Sequence, residues 1–191
     1  MGEYESNIDN ILAEFQSKVK NINDNKAMIR EIATTLYGNI SHRVHNEGKD
    51  ATENEIGRYS TKPTLIGAKS FVNKTAANKV FGSKAKRKAL TWVTVKGHSL
   101  AELPGGYKQI RSIEGKETNH VNLDRTGKLR KDFGFAAQGK DYVLGFKSEY
   151  GAKLRKYQED HWGKVIWQAS EKDKQIAVEI FERYIQKQLN A

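Results

Sequence analysis

Hydrophobic residues recur at three- and four-residue spacing near both ends of this 191-residue chain, and at two-residue spacing between them. The first spacing places apolar side chains on one face of a helix, and the second places them on one face of a strand. A chain that carries both patterns in separate segments packs helices against a sheet. We therefore expect an α+β fold with a small antiparallel sheet, a pair of helices at the N-terminus and a helix at the C-terminus.

Three segments carry the helical pattern. Residues 4–22 are the first, with apolar positions from Ile8 to Ile22. The second has Asp24 or Asn25 placed to cap its start and Gly48 placed to end it. The third begins after Ser170, a capping residue. Its apolar positions are Ala177, Ile180, Phe181, Tyr184, Ile185 and Leu189.

The strand pattern is clearest in a predicted hairpin. Its first arm places Leu129, Lys131, Phe133 and Phe135 on one side of an extended chain, and its second arm does the same for Tyr142, Leu144 and Phe146. The β-branched stretch TWVTVKG, residues 91–97, predicts a further strand, and KVIW, residues 164–167, predicts a short one. Between residues 60 and 90 no clean period is present, and we expect a loop with some helix.

Positive charge is concentrated in the middle of the chain. Residues 1–57 carry a net charge of −4, residues 58–131 of +13 and residues 132–191 of +1. We expect residues 1–57 to form a helical segment packed on a main module, residues 58–191, from which a long basic excursion extends over about residues 60–100. Within it Lys84, Lys86, Arg87 and Lys88 are a candidate contact for a polyanion or an acidic partner, and a solvated loop is the alternative.

Two glycine-containing turns are the candidate contact sites for a neighbouring subunit or another partner. In the first, a sharp turn is expected to bury Tyr107, Ile110 and Ile113 on one side and to place Arg111 on the other. The second lies in VNLDRTGKL, where a polar turn interrupts an apolar alternation. Such turns are better suited to hold a contact surface in a fixed shape than to form a catalytic site. The candidate contact residues are Gly105, Gly106, Tyr107, Arg111, Thr126 and Gly127.

Few residues offer catalytic or metal chemistry. The chain has no cysteine, and His42 and His45 lack a nearby carboxylate that would complete a metal site. The run Glu159, Asp160 and His161 suggests a general base, but no nucleophile is tied to it by sequence. We expect no enzymatic activity, no metal and no cofactor, and since no apolar run is long enough to span a bilayer, no membrane partner either.

Five motifs, taken in order, resemble one family. They are YSTKP, GGYKQIRSIEGK, VNLDRTGKLRKDFGF, YVLGFKSEYGAKLRKYQEDHWGK and ASEKDKQIAVEIF. Together they are similar to the tail-completion and head–tail joining proteins of tailed bacteriophages, including the minor tail protein Z type and the virion morphogenesis proteins. The resemblance covers roughly residues 57–189.

The resemblance implies a structural virion protein located at the neck or the top of the tail and made in the cytoplasm of the bacterial host. It implies a homo-oligomeric ring, with a hexamer as the expected form. The implied partners are head connector, adaptor or portal proteins on one side and tail tube or tail terminator proteins on the other, with DNA in the lumen as a further candidate. Two alternatives remain open: a DNA-binding or DNA-packaging accessory protein, and a nuclease or hydrolase that uses Glu159, Asp160 and His161.

Overall fold

The computed structural model describes residues 25–138 and 141–190, so the helix predicted over residues 4–22 lies outside the described residues. The described chain is an α+β fold with two antiparallel sheets. Its elements are α1 (Lys26–His42), β1 (Thr64–Ile66), α2 (Lys74–Phe81), α3 (Lys84–Lys88), β2 (Trp92–Val95), β3 (His98–Leu103), α4 (Gly106–Ile113), α5 (Lys128–Asp132), β4 (Phe133–Gln138), β5 (Asp141–Phe146), α6 (Glu149–Trp162) and α7 (Glu171–Leu189).

Helix α1 starts and stops where the sequence predicts. The Asn25 side chain accepts hydrogen bonds from the backbone N–H groups of Ala27 and Met28, both at 3.1 Å, and so satisfies two of the free donors of the first turn. A π-helical turn, Arg43–Glu47, extends α1 until Gly48 ends it in the left-handed conformation at φ 68°. Glycine adopts this conformation without the steric cost that a Cβ would bring.

A first core forms around the three-stranded sheet, whose strands are ordered β1-β3-β2. Helices α2 and α4 each bury one face against this sheet. A short 3₁₀ turn, Ala68–Ser70, precedes α2. The buried residues of this core are Ile66, Phe71, Ala76, Ala77, Val80, Phe81, Ala101, Leu103 and Ile110.

A second core forms between the β4–β5 hairpin and helices α1 and α6. Helix α1 packs on both strands of this hairpin and on α7. Phe133 and Phe146 face each other across the hairpin and contact the ring of Trp167. The buried residues of this core are Ile40, Val44, Ile56, Val121, Leu129, Phe133, Ile166 and Trp167.

A buried ion pair connects α7 to the turn that extends α1. Asp173 accepts a hydrogen bond from Arg43, and only 5% of each side chain is exposed. Ser170 and Asp173 also form a capping box, in which each side chain accepts from the backbone N–H of the other. The predicted cap at Ser170 is therefore confirmed. None of the described helices is long and apolar enough to cross a bilayer.

Three predicted elements differ from the structure. Residues 60–90 contain the expected helix, as α2 and α3, but they also contain strand β1, and Phe71, Val80 and Phe81 are buried in the first core despite their irregular spacing. The predicted extended arm through Leu129 and Lys131 is wrong, since these residues belong to helix α5 and the strand begins only at Phe133. Residues 164–167 form no strand, because they fold as a loop that inserts Ile166 and Trp167 into the second core.

Candidate partner-binding groove

An open groove of about 640 Å³ lies between α6, the N-terminal part of α4 and the segment 121–129. Its walls combine aromatic rings with basic side chains. The residues that line it are Arg58, Tyr59, Ser60, Tyr107, Arg111, Val121, Leu123, Arg125, Thr126, Gly127, Lys128, Leu129, Tyr150, Leu154, Tyr157, Gln158, His161 and Trp162.

The two predicted contact turns meet at this groove. Tyr107 and Arg111 come from the first turn, and Thr126 and Gly127 come from the second. The first turn is in fact the start of helix α4, so Tyr107 and Arg111 project from one helix. The structure thus brings four of the six candidate contact residues to one surface.

The remaining two candidates, Gly105 and Gly106, do not line the groove. Gly106 is buried at φ 62°, and a Cβ placed on it would lie 2.3 Å from the carbonyl oxygen of Lys62. The backbone N–H of Lys108 donates to the carbonyl of Ser60 at 3.0 Å in the same contact. Gly106 therefore lets the start of α4 pack directly against the chain at residues 60–62, which positions Tyr107.

Arg111 is buried under the groove and hydrogen-bonds to residues in the segment between α4 and α5. It is only 1% exposed, and its guanidinium lies 4.3 Å from the centre of the Tyr59 ring. Its Nε donates to the carbonyl of Glu117 at 2.8 Å, and its Nη2 donates to Asn122 Oδ1 at 2.8 Å and to the carbonyl of Asp124 at 3.3 Å. Because these acceptors lie in the segment that follows α4, Arg111 fixes that segment against the helix.

Asn122 is the shared partner at the centre of this network. Its Oδ1 accepts from the Tyr59 hydroxyl at 3.1 Å and from the backbone N–H of Asp124 at 3.1 Å. Its carbonyl accepts from His45 Nδ1 at 2.8 Å. Burial raises the pKa of Tyr59 and lowers the pKa of His45, so that both side chains favour their neutral forms. The network is thus a set of directional contacts that shapes the groove floor.

A second arginine sets the rim. Arg125 donates from Nε and Nη2 to the two oxygens of Glu114, at 3.0 and 2.6 Å, and from Nη2 to the carbonyl of Ser70 at 2.8 Å. The hydrogen bond to Glu114 raises the pKa of Arg125. Its guanidinium lies 5.6 Å from the centre of the Tyr107 ring, so that the rim arginine and the aromatic wall support each other.

Helix α6 supplies the opposite wall, which the sequence prediction missed. Tyr150 and Tyr157 are 68% and 63% exposed, and the rings of Tyr157 and His161 stack at 6.1 Å. The spacing of Tyr150, Leu154, Tyr157 and His161 follows one face of a helix. That periodicity was the available signal for this wall, and the surrounding charges obscured it.

The groove has a one-signed rim. None of the described residues that line it is an aspartate or glutamate, whereas Arg58, Arg125 and Lys128 all contribute to it. Arg125 is paired with Glu114, whose side chain is fully buried and does not line the groove. Arg58 is 83% exposed and lies 3.6 Å from Glu55, a weak surface pair. An occupant that combines apolar side chains with negative charge therefore matches both the walls and the rim.

The carboxylate and histidine clusters considered for chemistry have structural contacts. Glu159 Oε1 accepts from the backbone N–H groups of Ile166 and Trp167, at 2.9 and 3.2 Å, and so fixes the loop after α6. His45 is buried against Asn122. The expectation that His42 has no carboxylate nearby is wrong, because its exposed ring lies 3.2 Å from Glu47. Among the described residues no cluster of His, Asp and Glu has the makings of a metal site.

The four basic candidates lie away from the groove. Lys84, Lys86, Arg87 and Lys88 make up most of helix α3, and all four are exposed. They belong to the first core's side of the molecule, beside β2.

No protein-family model matches the sequence, and comparisons with curated proteins and with solved structures find no match.

Proposed function

We propose that this protein is a structural virion subunit that completes the tail, or joins head to tail, at the neck of a tailed bacteriophage. It acts as one member of a homo-oligomeric ring that contacts head connector proteins on one side and tail proteins on the other. The resemblance of its five ordered motifs to that family is the starting point of the proposal. The groove is the structural feature that supports it.

The observation that carries the proposal is the convergence of the first four of these motifs on the groove. Tyr59 from the first motif, Arg111 from the second and Asn122 from the third meet in one hydrogen-bonded network. The fourth motif supplies Tyr157 and the rest of the α6 wall. Segments distant in sequence thus combine to build a single surface feature, which is what a contact site requires of its scaffold.

The composition of the groove is that of a protein–protein contact. Tyrosine, tryptophan and arginine are the residue types that carry most binding energy at protein interfaces. Tyr150 and Tyr157 expose two large rings beside the half-buried Trp162. Large exposed apolar surface next to a basic rim is typical of an interaction site.

The exposed ridge of α7 on a second copy of the chain is the occupant that fits. Val178 and Phe181 are 47% and 36% exposed, and Ile185 continues the same helical line. Positions i, i+3 and i+7 are the anchors of a helix that binds in a groove. The exposed Glu179 and Glu182 lie beside these apolar residues, and their negative charge is complementary to the basic residues at the rim of the groove. Because groove and ridge are different surfaces, the contact is head-to-tail, which is the kind of contact that a closed ring requires.

Native mass spectrometry of the purified full chain tests this assembly. We expect a closed oligomer for the wild type and its loss in the variant Tyr150→Ala/Tyr157→Ala, which removes two exposed rings without touching the buried network. The control is Trp92→Ala, which removes a 45% exposed ring outside the groove and should leave the oligomer intact. A wild-type chain that stays monomeric alone and with connector proteins would contradict the proposal.

A further inference from the structure

All of the net charge of the chain lies in one part of the fold. Residues 60–116, here named the basic lobe, contain 12 Lys and Arg against 2 acids, whereas the rest of the sequence contains 21 of each. The basic lobe comprises β1 to β3 and α2 to α4, which surround the first core. A charge of +10 on so small a unit makes a strong local positive field.

The two acids of the basic lobe do not neutralise its surface. The Glu114 side chain is fully buried and is engaged by Arg125 from outside the lobe. Glu102 lies half-buried on β3. Among the ion pairs between described residues, none involves a lysine or arginine of the basic lobe. The positive field is therefore not compensated within the described chain.

The charge is densest on helix α3. Lys84, Lys86, Arg87 and Lys88, here named the basic patch, occupy four of its five positions. Lys84 and Lys88 stand four residues apart on the same helix, a like-charge spacing that destabilises an isolated helix. Ser83 nevertheless caps the helix by accepting from the backbone N–H of Lys86 at 3.2 Å. The fold thus maintains a repulsive cluster that an external anion would relieve.

Two side chains of this surface are held in place by backbone carbonyls. Arg87 Nε donates to the carbonyl of Phe81 at 2.8 Å, while its two terminal nitrogens make no hydrogen bond to another described residue. Trp92 Nε1 donates to the carbonyl of Arg87 at 2.9 Å, and its ring lies 6.0 Å from that of Phe81. A fixed guanidinium beside a fixed, half-exposed indole loses less conformational entropy on binding than four mobile lysines would.

We propose that the basic patch binds the phosphodiester backbone of a nucleic acid without reading its sequence. Lysine and arginine neutralise phosphates and release condensed counterions, which gives affinity without base specificity. A protein partner fits less well, because the centre of a protein interface is depleted in charged residues, whereas the basic patch is almost entirely charged. This inference does not depend on ring assembly.

Salt titration of binding to fluorescein-labelled 30-mers, one duplex and one single-stranded, tests the proposal by fluorescence anisotropy on the full chain. Four neutralised phosphates predict a slope of log K against log salt of about −3.6 for duplex and about −2.8 for single strand. The variant Lys84→Gln/Lys86→Gln/Lys88→Gln should lose about 2.7 of the duplex slope and bind at least about tenfold more weakly at low salt.

A matched control carries the same loss of charge in another part of the fold. Lys153→Gln/Lys156→Gln/Lys172→Gln replaces three exposed lysines of α6 and α7 and should change affinity by less than about twofold, since phosphate contacts act locally. Equal losses in the two triple variants would overturn the proposal, as would no binding by the wild type at about 50 mM salt. Polyglutamate that displaces DNA at equal charge concentration would identify an acidic protein as the ligand and would also overturn it. Native mass spectra of the same samples show whether ring assembly is intact, so that the two proposals fail separately.

Discussion

Replacing Arg111 with methionine keeps an unbranched side chain in the site but removes the three hydrogen bonds that Arg111 donates to the groove network. Two hydrogen bonds of 2.8 Å are lost, to the carbonyl of Glu117 and to Asn122 Oδ1, together with a longer one to Asp124. Bonds to a charged donor contribute about 1.5–3 kcal/mol each, and the stacking on Tyr59 adds about 1 kcal/mol. Methionine also removes the cost of keeping the Arg111 charge buried, which offsets part of this loss. We expect a net loss of about 3 kcal/mol.

Urea unfolding followed by tryptophan fluorescence measures this loss. With a slope of about 2 kcal/mol/M, a loss of about 3 kcal/mol moves the midpoint down by about 1.5 M. The control is Lys108→Met, which makes the same kind of replacement at an exposed position of α4 and should cost less than about 0.5 kcal/mol. An Arg111→Met protein within about 1 kcal/mol of the wild type would refute the reasoning, because the guanidinium would then be filling space instead of connecting segments.

Three further predictions concern the scaffold around the groove. Gly106→Ala should lower the free energy of unfolding by more than about 2 kcal/mol, because the new Cβ would lie 2.3 Å from a backbone carbonyl oxygen. The control is Gly115→Ala, which also has a positive φ but has no atom within 4 Å of the new Cβ, and it should cost only about 1 kcal/mol. Thermal or urea unfolding measures both. Asp173→Ala should lower the free energy of unfolding by about 3–5 kcal/mol, because it leaves the charge of Arg43 buried and unpaired. The double variant Arg43→Met/Asp173→Ala should recover part of that loss, since the buried charge is then gone as well. A double variant less stable than Asp173→Ala would contradict this reasoning. Burial lowers the pKa of His45, so the unfolded chain binds a proton on this ring more tightly than the folded protein does. The free energy of unfolding should therefore fall as the pH drops below about 6.5, the ordinary pKa of histidine, toward the lower pKa of the folded state. The variant His45→Gln should lose less stability between about pH 7.5 and pH 5.5 than the wild type, and an equal loss in both proteins would exclude His45 as the cause.

Local signals in the sequence predicted the helix ends and the hairpin well. Asn25, Gly48 and Ser170 act through their own backbone neighbours, so their roles can be read without knowledge of the tertiary structure. The pairing of β4 with β5 follows from the alternation at Phe133 and Phe135 and at Tyr142, Leu144 and Phe146, although the predicted first arm began too early. These features depend on residues close together in the chain.

Features that depend on distant contacts were missed. Residues 60–90 show no regular period because the buried aromatic and aliphatic residues do not come from one continuous element. Phe71 directly follows a 3₁₀ turn, whereas Val80 and Phe81 lie on a short helix. Leu129 belongs to a five-residue helix that ends where β4 begins, a boundary that alternation alone does not reveal. Here tertiary packing decides the local conformation.

The groove was predictable only in part. The glycine turns and their arginine identified Tyr107, Arg111, Thr126 and Gly127 as a group, because turn chemistry is visible in sequence. The burial of Arg111 beneath the surface was not visible, since its acceptors are carbonyls whose positions the fold alone determines. The α6 wall was missed because a helix with many exposed charges carries only a weak apolar pattern.

Electron microscopy of mature virions, labelled with an antibody against this polypeptide, tests the central claim most directly. We expect label between the capsid and the tail, at one position on each particle. Label that is absent from that junction, on virions that contain the polypeptide by mass spectrometry, would contradict the assignment to the neck.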